Sequence, residues 1–251
     1  MSGRLAPDWL TARPIAHRGL HDRAAGIPEN TIAAAEAAIA RGYAIECDVQ
    51  LSADGEAMVF HDLNLGRLTA ETDPVGSRAA ADLARLAVAG SSERIPTLPD
   101  FLAAIAGRTP LVIEVKSRHD GDLALARRTA EIAAGYDGPV ALKSFDPAIV
   151  GALADLGPGI PRGIVAESRQ DDPAYAAMSA EARHGLANLL HIADSRPDFL
   201  SWRVDDLPNA ATHLCRHLAR MPVMTWTVRN EDQVRRARQH ADQMVFEGFL
   251  A

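Results

Sequence analysis

IECDVQLSADGEAMVFHD, running from Ile45 to Asp62, is the stretch on which the reading of the whole chain turns. Ile45, Cys47, Val49 and Leu51 alternate with Glu46, Asp48, Gln50 and Ser52, the two-residue period of a β-strand. Asp54-Gly55 is a tight-turn dipeptide, and the run Ala57 to Phe60 returns as a second short strand that ends in His61-Asp62. Glu46 and Asp48, two residues apart, share one face. Two carboxylates crowded together repel unless a cation lies between them. A strand that spends one face on acids and then brings back a histidine is expected to form part of a site.

Working outward, strands and helices alternate. Pro14-Ile15-Ala16 reads as a first strand running into a loop at His17-Arg18-Gly19, and Asn30 or Thr31 is expected to cap a helix from Ile32 to Arg41. Beyond the hairpin lies a variable stretch, Leu63 to Arg94, with a short helix near Ala80 to Leu86; a helix from Leu98 to Ala106 follows. Further strands are expected at Leu111–Val115, Val140–Phe145, Arg162–Glu167, Phe199–Val204, Val223–Val228 and Gln243–Glu247. The helices between them fall at Asp122–Ala134, Pro147–Leu156, Pro173–Ala193, Asn209–Ala219 and Glu231–His240. Eight strands in βα alternation, with no linker or low-complexity tract, predict one TIM (β/α)8 barrel domain over residues 1–251, with a short hairpin after the second strand. The chain ends too soon after the eighth strand for an eighth helix, and the segment around Trp9-Leu10 is expected to cover that gap.

Composition narrows the function. A net charge of -7 argues against a nucleic-acid surface. Two cysteines, Cys47 and Cys215, fall in different elements and favour a reducing compartment over a disulfide. No apolar run reaches the length of a membrane span and the first residues lack a signal-peptide core, so the expectation is a cytoplasmic protein without integral membrane association.

In such a barrel the functional residues lie at the carboxyl ends of the strands. Those positions hold His17 and Arg18, Glu46 and Asp48, Glu114 and Lys116, Lys143, and Trp226, with His61 brought in by the hairpin. No zinc-type spacing of Cys and His occurs, and carboxylates are hard ligands, so Glu46, Asp48 and Glu114 suit one divalent cation, Mg²⁺ or Ca²⁺. His17 and His61 can serve as general acid and base. Arg18 and Lys116 can hold the non-bridging oxygens of a phosphoryl group, with Lys143 and Trp226 as further substrate contacts. The remaining histidines, His21 and His119 among them, are assigned to surface or core, and Glu29 to the start of a helix.

These residues lie in motifs. HRG at His17 to Gly19, PENT at Pro28 to Thr31, ECDVQLSADG at Glu46 to Gly55 and FHD at Phe60 to Asp62 resemble the glycerophosphodiester phosphodiesterase family. IPTL at Ile95 to Leu98, IEVK at Ile113 to Lys116, SFDP at Ser144 to Pro147 and WTV at Trp226 to Val228 extend the resemblance along almost the whole chain. It implies a TIM barrel, dependence on a divalent metal, and hydrolysis of a small-molecule glycerophosphodiester to glycerol 3-phosphate and an alcohol. It maps the histidine pair onto His17 and His61 and the metal acids onto Glu46, Asp48 and Glu114. The chain departs from the pattern at Phe246-Glu247-Gly248-Phe249, where many members carry threonine or aspartate, and at Trp202 to Asp206. The short stretch after His61 leaves little to cap the mouth. Two alternatives stand beside this reading: a lysophospholipase D-like hydrolase of lipid phosphodiesters, and a non-catalytic barrel that binds phosphodiesters.

Overall fold

The computed structural model describes residues 6–171, 175 and 178–251. Eight parallel strands close into a ring: β1 (Ile15–Ala16), β2 (Ala44–Leu51), β4 (Leu111–Val115), β5 (Val140–Ser144), β6 (Arg162–Ala166), β7 (Phe199–Arg203), β8 (Val223–Val228) and β9 (Gln243–Phe246), with β1 pairing both β9 and β2. The remaining strand, β3 (Ala57–Val59), lies outside the ring, antiparallel to β2 in the register Val49↔Val59 and Leu51↔Ala57. The expected barrel and hairpin are both present. Asp54 anchors the hairpin turn, its Oδ1 accepting from Ser52 Oγ at 2.6 Å and from Ala80 N at 2.9 Å.

Helices α1 (Ile32–Ala40), α3 (Leu98–Ile105), α4 (Ala124–Ala134), α5 (Pro147–Leu156), α8 (Ala210–His217) and α9 (Glu231–His240) lie close to their expected spans. Thr31, not Asn30, caps α1 by accepting from Ala34 N; Asn30 has left-handed backbone and a different task, described below. The short α2 (Ala80–Leu83) sits in the stretch after the hairpin. The long helical region expected at Pro173–Ala193 is two pieces, α6 (Ala180–Ala187) and α7 (Ile192–Ser195), separated by Leu189 at φ 55°; Pro173 and the residues around it lie outside the described ones.

Alternation along the strands divides the molecule. The outward side chains of β2 and β4 (Ile45, Cys47, Val49, Ile113, Val115) pack under the helices with Ala35, Leu98, Phe101 and Leu102. The inward side chains at the amino end of the barrel form a separate apolar layer: Ile15, Ala44, Val112, Ala141, Phe199, Met224 and Val245. A Cβ on Gly163 would lie 2.2 Å from the Phe199 ring, so glycine at the start of β6 makes room for the largest member of that layer.

The amino-terminal segment does not replace an eighth helix. Leu10, 2% exposed, packs into the inward apolar layer and closes the floor of the barrel, with half-buried Trp9 beside it. Past β9 the chain runs back over Phe246 and Tyr43. Phe249 packs at a tilt against Phe246 with ring centres 5.3 Å apart, and the Tyr43 hydroxyl donates to the Ala251 carbonyl at 2.7 Å. Residues 58–95 form a small core of their own around Met58, Phe60, Leu65, Val75, Leu83 and Ile95, which gives His61 a firm support.

Candidate active site

Two residues up five of the strands from the apolar layer, the inward positions turn polar. Ala44 is followed by Glu46 and Asp48, Val112 by Glu114, Ala141 by Lys143, Ile15 by His17 and Val245 by Glu247. His17, Asp48, Glu114 and Lys143 open into a cleft of about 480 Å³ at the carboxyl ends of the strands, lined also by His61, Lys116, Glu167, Arg203 and Trp226.

Glu46, Asp48 and Glu114 are 1%, 1% and 5% exposed, and one oxygen of each lies within 4.8 Å of the others. Cationic side chains thread between them. Lys116 Nζ is 2.7 Å from Asp48 Oδ1 and 2.5 Å from Glu114 Oε1; Lys143 Nζ is 3.0 Å from Glu46 Oε1 and 3.4 Å from Glu114 Oε2. Arg18 Nε stands 3.4 Å from Asp48 Oδ2. Burial alone would raise the pKa of Asp48, but Lys116, His61 and Arg18 outweigh it and hold the carboxyl well below its ordinary value. Glu114 is lowered in the same way, burial being overcome by Lys116 and Lys143. Conversely, Asp48 and Glu114 raise Lys116 against its desolvation. Asp48, Glu114 and Lys116 are therefore ionised near neutrality. Glu46 Oε1 is buried 3.0 Å from Lys143 Nζ, and three converging hard oxygens fit a divalent cation.

The loop after β1 presents the next contacts. Arg18 (φ 55°) and Gly19 (φ 77°) both take left-handed backbone, and a Cβ at Gly19 would lie 2.7 Å from that of Ala34. This tight approach aims Arg18 N at Glu46 Oε2, 3.1 Å away. Asn30 holds Asp48 from two directions: its Nδ2 donates to Oδ2 at 3.0 Å, and its Oδ1 accepts from the Asp48 N–H at 3.2 Å.

Each histidine carries a carboxylate on Nδ1. His17 Nδ1 is 2.5 Å from Glu247 Oε2, and its Nε2 is 4.0 Å from Glu46 Oε2. His61 Nδ1 is 2.7 Å from Asp62 Oδ1, whose other oxygen accepts from Arg67 Nε at 2.6 Å. Gln50 Nε2 donates to the His61 carbonyl at 3.0 Å, tying the histidine to β2. Across the cleft, Trp226 gives its Nε1–H to Ser201 O at 2.9 Å and packs edge-on to Phe145, leaving its ring for contact.

All nine expected site residues (His17, Arg18, Glu46, Asp48, His61, Glu114, Lys116, Lys143 and Trp226) belong to this one assembly. Lys143, 2% exposed, sits low in the cleft and balances charge on Glu46 and Glu114. Five further residues, not assigned to a site from the sequence, take part. Glu29 is not merely a helix-start residue: it accepts from Arg18 at 2.6 Å and from Arg67 at 2.7 and 2.8 Å, joining the first loop to the hairpin side. Asn30, Glu247 and the Glu167–Arg203 pair at 3.3 Å complete the set. For Glu247 a signal was available, since continuing the alternation of β9 past Val245 puts it on the inward face.

An eight-stranded barrel with paired histidines, three clustered acids and cationic side chains at its strand tops suits the holding of an anionic phosphoryl group. The sequence profile of the glycerophosphoryl diester phosphodiesterase family matches residues 17–246. YhdW of Bacillus subtilis, provisionally named a glycerophosphodiester phosphodiesterase, is 30% identical over 192 residues, covering 72% of this chain and 76% of its own. A glycerophosphodiester phosphodiesterase of Caldanaerobacter subterraneus is 39% identical over 112 residues, 41% of this chain and 44% of its own. An Oleispira antarctica phosphodiesterase, solved with the product sn-glycerol-3-phosphate, superposes with a TM-score of 0.73 at 23% identity, covering 93% of this chain and 91% of that one. This chain belongs to the glycerophosphoryl diester phosphodiesterase family and is a phosphoric diester hydrolase.

Proposed function

We propose that the protein hydrolyses glycerophosphodiesters to glycerol 3-phosphate and an alcohol, with residues 1–251 acting as one catalytic unit. The observation that carries this reading is the convergence of His17, His61, the three acids, Arg18 and Lys116 on one cleft. Glu46, Asp48 and Glu114 would hold one divalent cation, Mg²⁺ or Ca²⁺, which when bound supplies charge for the phosphoryl oxygens. Arg18 and Lys116 bind the non-bridging oxygens and orient the diester. One histidine takes a proton from the attacking water as the new P–O bond to the water oxygen forms. The other gives a proton to the leaving alkoxide as the old P–O bond breaks, so the protons balance. The aromatic pair Phe145 and Trp226 offers the glycerol carbons an apolar wall within an otherwise largely polar lining. That lining supports water-soluble diesters over lysolipids. Free thiols at Cys47 and Cys215 support a cytoplasmic setting, and among the described residues no helix is long and apolar enough to cross a membrane.

The test is turnover of glycerophosphocholine and lysophosphatidylcholine by wild type, His17→Ala and His61→Ala. The expected result is faster turnover of the soluble diester and its loss in both variants. Full activity in either variant contradicts the acid–base assignment.

A further inference from the structure

The two histidines are supported alike by different parts of the chain. His61 has Asp62, its sequence neighbour, on Nδ1, and Asp62 has Arg67 on its other oxygen. His17 has Glu247, 230 residues away, on Nδ1 at 2.5 Å, and Glu247 Oε1 accepts from Arg229 Nε at 2.6 Å. The barrel seam makes this second arrangement possible. Ala16 pairs with Phe246, and His17 N donates to the Phe246 carbonyl at 2.9 Å, so His17 and Glu247 emerge side by side on the inward face.

We propose that Glu247 is the positioning residue of His17, fixing its tautomer and ring orientation so that Nε2 is the nitrogen offered to the substrate. An ionised carboxylate can only accept, so the ring nitrogen facing it carries the proton and the opposite nitrogen is left free to exchange one. Arg229 and His21, whose Nε2 is 3.5 Å from Glu247 Oε2, keep the carboxylate ionised and in place. Without Glu247, His17 would lose its restraint on Nδ1 and distribute its proton between the two nitrogens. The seam thus supplies to His17 what the FHD motif supplies to His61. The inference rests on the acid–base role proposed for His17.

The test combines steady-state kinetics on glycerophosphocholine with ¹⁵N NMR of the histidine rings, using the full chain. Glu247→Ala is expected to lower kcat about 10²-fold, within the range of one acid–base contribution. KM should move by less than about threefold, because the phosphate contacts through Arg18 and Lys116 stay intact. The His17 ring should change from a single Nδ1–H form to a mixture of tautomers. Glu247→Gln, which keeps the side-chain volume, serves if the alanine variant fails to fold and should lower kcat about tenfold. Wild-type kcat and an unchanged His17 tautomer in a folded Glu247 variant, with His17→Ala inactive, would overturn the positioning role. Full activity of His17→Ala would overturn the acid–base reading and this inference with it.

Discussion

The amino and carboxyl halves of the barrel interior are built from the same strands and differ in nearly everything else. At the lower level, Ile15, Ala44, Val112, Ala141, Phe199, Met224 and Val245 exclude water and carry no titratable group. Two residues further along, His17, Glu46, Glu114, Lys143 and Glu247 hold opposed charges within a few ångströms. Burying charges costs several kcal/mol each unless they are paired and hydrogen-bonded, so the upper layer is a poor way to hold a fold together. The lower layer supplies the stability that lets the upper one be retained for chemistry.

The largest effects should separate the halves cleanly. His17→Ala is expected to reduce turnover about 10³-fold, equivalent to about 4 kcal/mol in the barrier, while leaving the denaturant midpoint near that of wild type. Phe199→Ala should do the opposite: about 3–5 kcal/mol of stability lost in urea titration, with kcat per folded molecule little changed. A fall in stability for His17→Ala equal to that for Phe199→Ala would break the division.

Next in size is the response to metal. A cation that binds only the folded acid cluster at 100 times its Kd adds about 2.7 kcal/mol. That is about 5–10 °C in Tm for a chain of this length, and Glu114→Gln should abolish the rise in thermal unfolding. A smaller effect is expected at Gly163→Ala, where the new methyl would meet the Phe199 ring at 2.2 Å and force it to move; overpacking of this kind costs about 1–3 kcal/mol.

The remaining effect concerns pH. Burial would raise Glu29, but its bonds to Arg67 and Arg18 lower it to about 2 from 4.5. Its folded pKa is depressed, so its contribution is fully present above pH 4.5 and is lost as pH falls through about 2. Glu29→Gln should therefore flatten the acid limb of a stability–pH curve, whereas Phe199→Ala should shift the curve downward without changing its shape.

The sequence was most legible where one strand carried its own signal. Glu46 and Asp48 on β2, Glu114 on β4 and His61 after a turn dipeptide are all local patterns, and each lies where the alternation puts it. What escaped was set by pairing across the barrel. Glu247 matters because β9 closes against β1, and no local pattern names its partner. Asn30 and Glu29 sat in a segment that a helix start already explained, so their long-range bonds to Asp48, Arg18 and Arg67 left no additional trace. Leu10 as a barrel floor and the carboxyl terminus over Tyr43 likewise depend on which surface a short segment meets.

The upper layer is proposed to hydrolyse glycerophosphodiesters with a divalent cation held by its acids. The most direct measurement is the initial rate of glycerol 3-phosphate release from glycerophosphocholine by the wild-type protein, with Mg²⁺ or Ca²⁺, after EDTA, and after the cation is restored. Release with the cation, its collapse in chelator and its recovery on readdition are expected. Undiminished release in EDTA, or none with either cation, would contradict it.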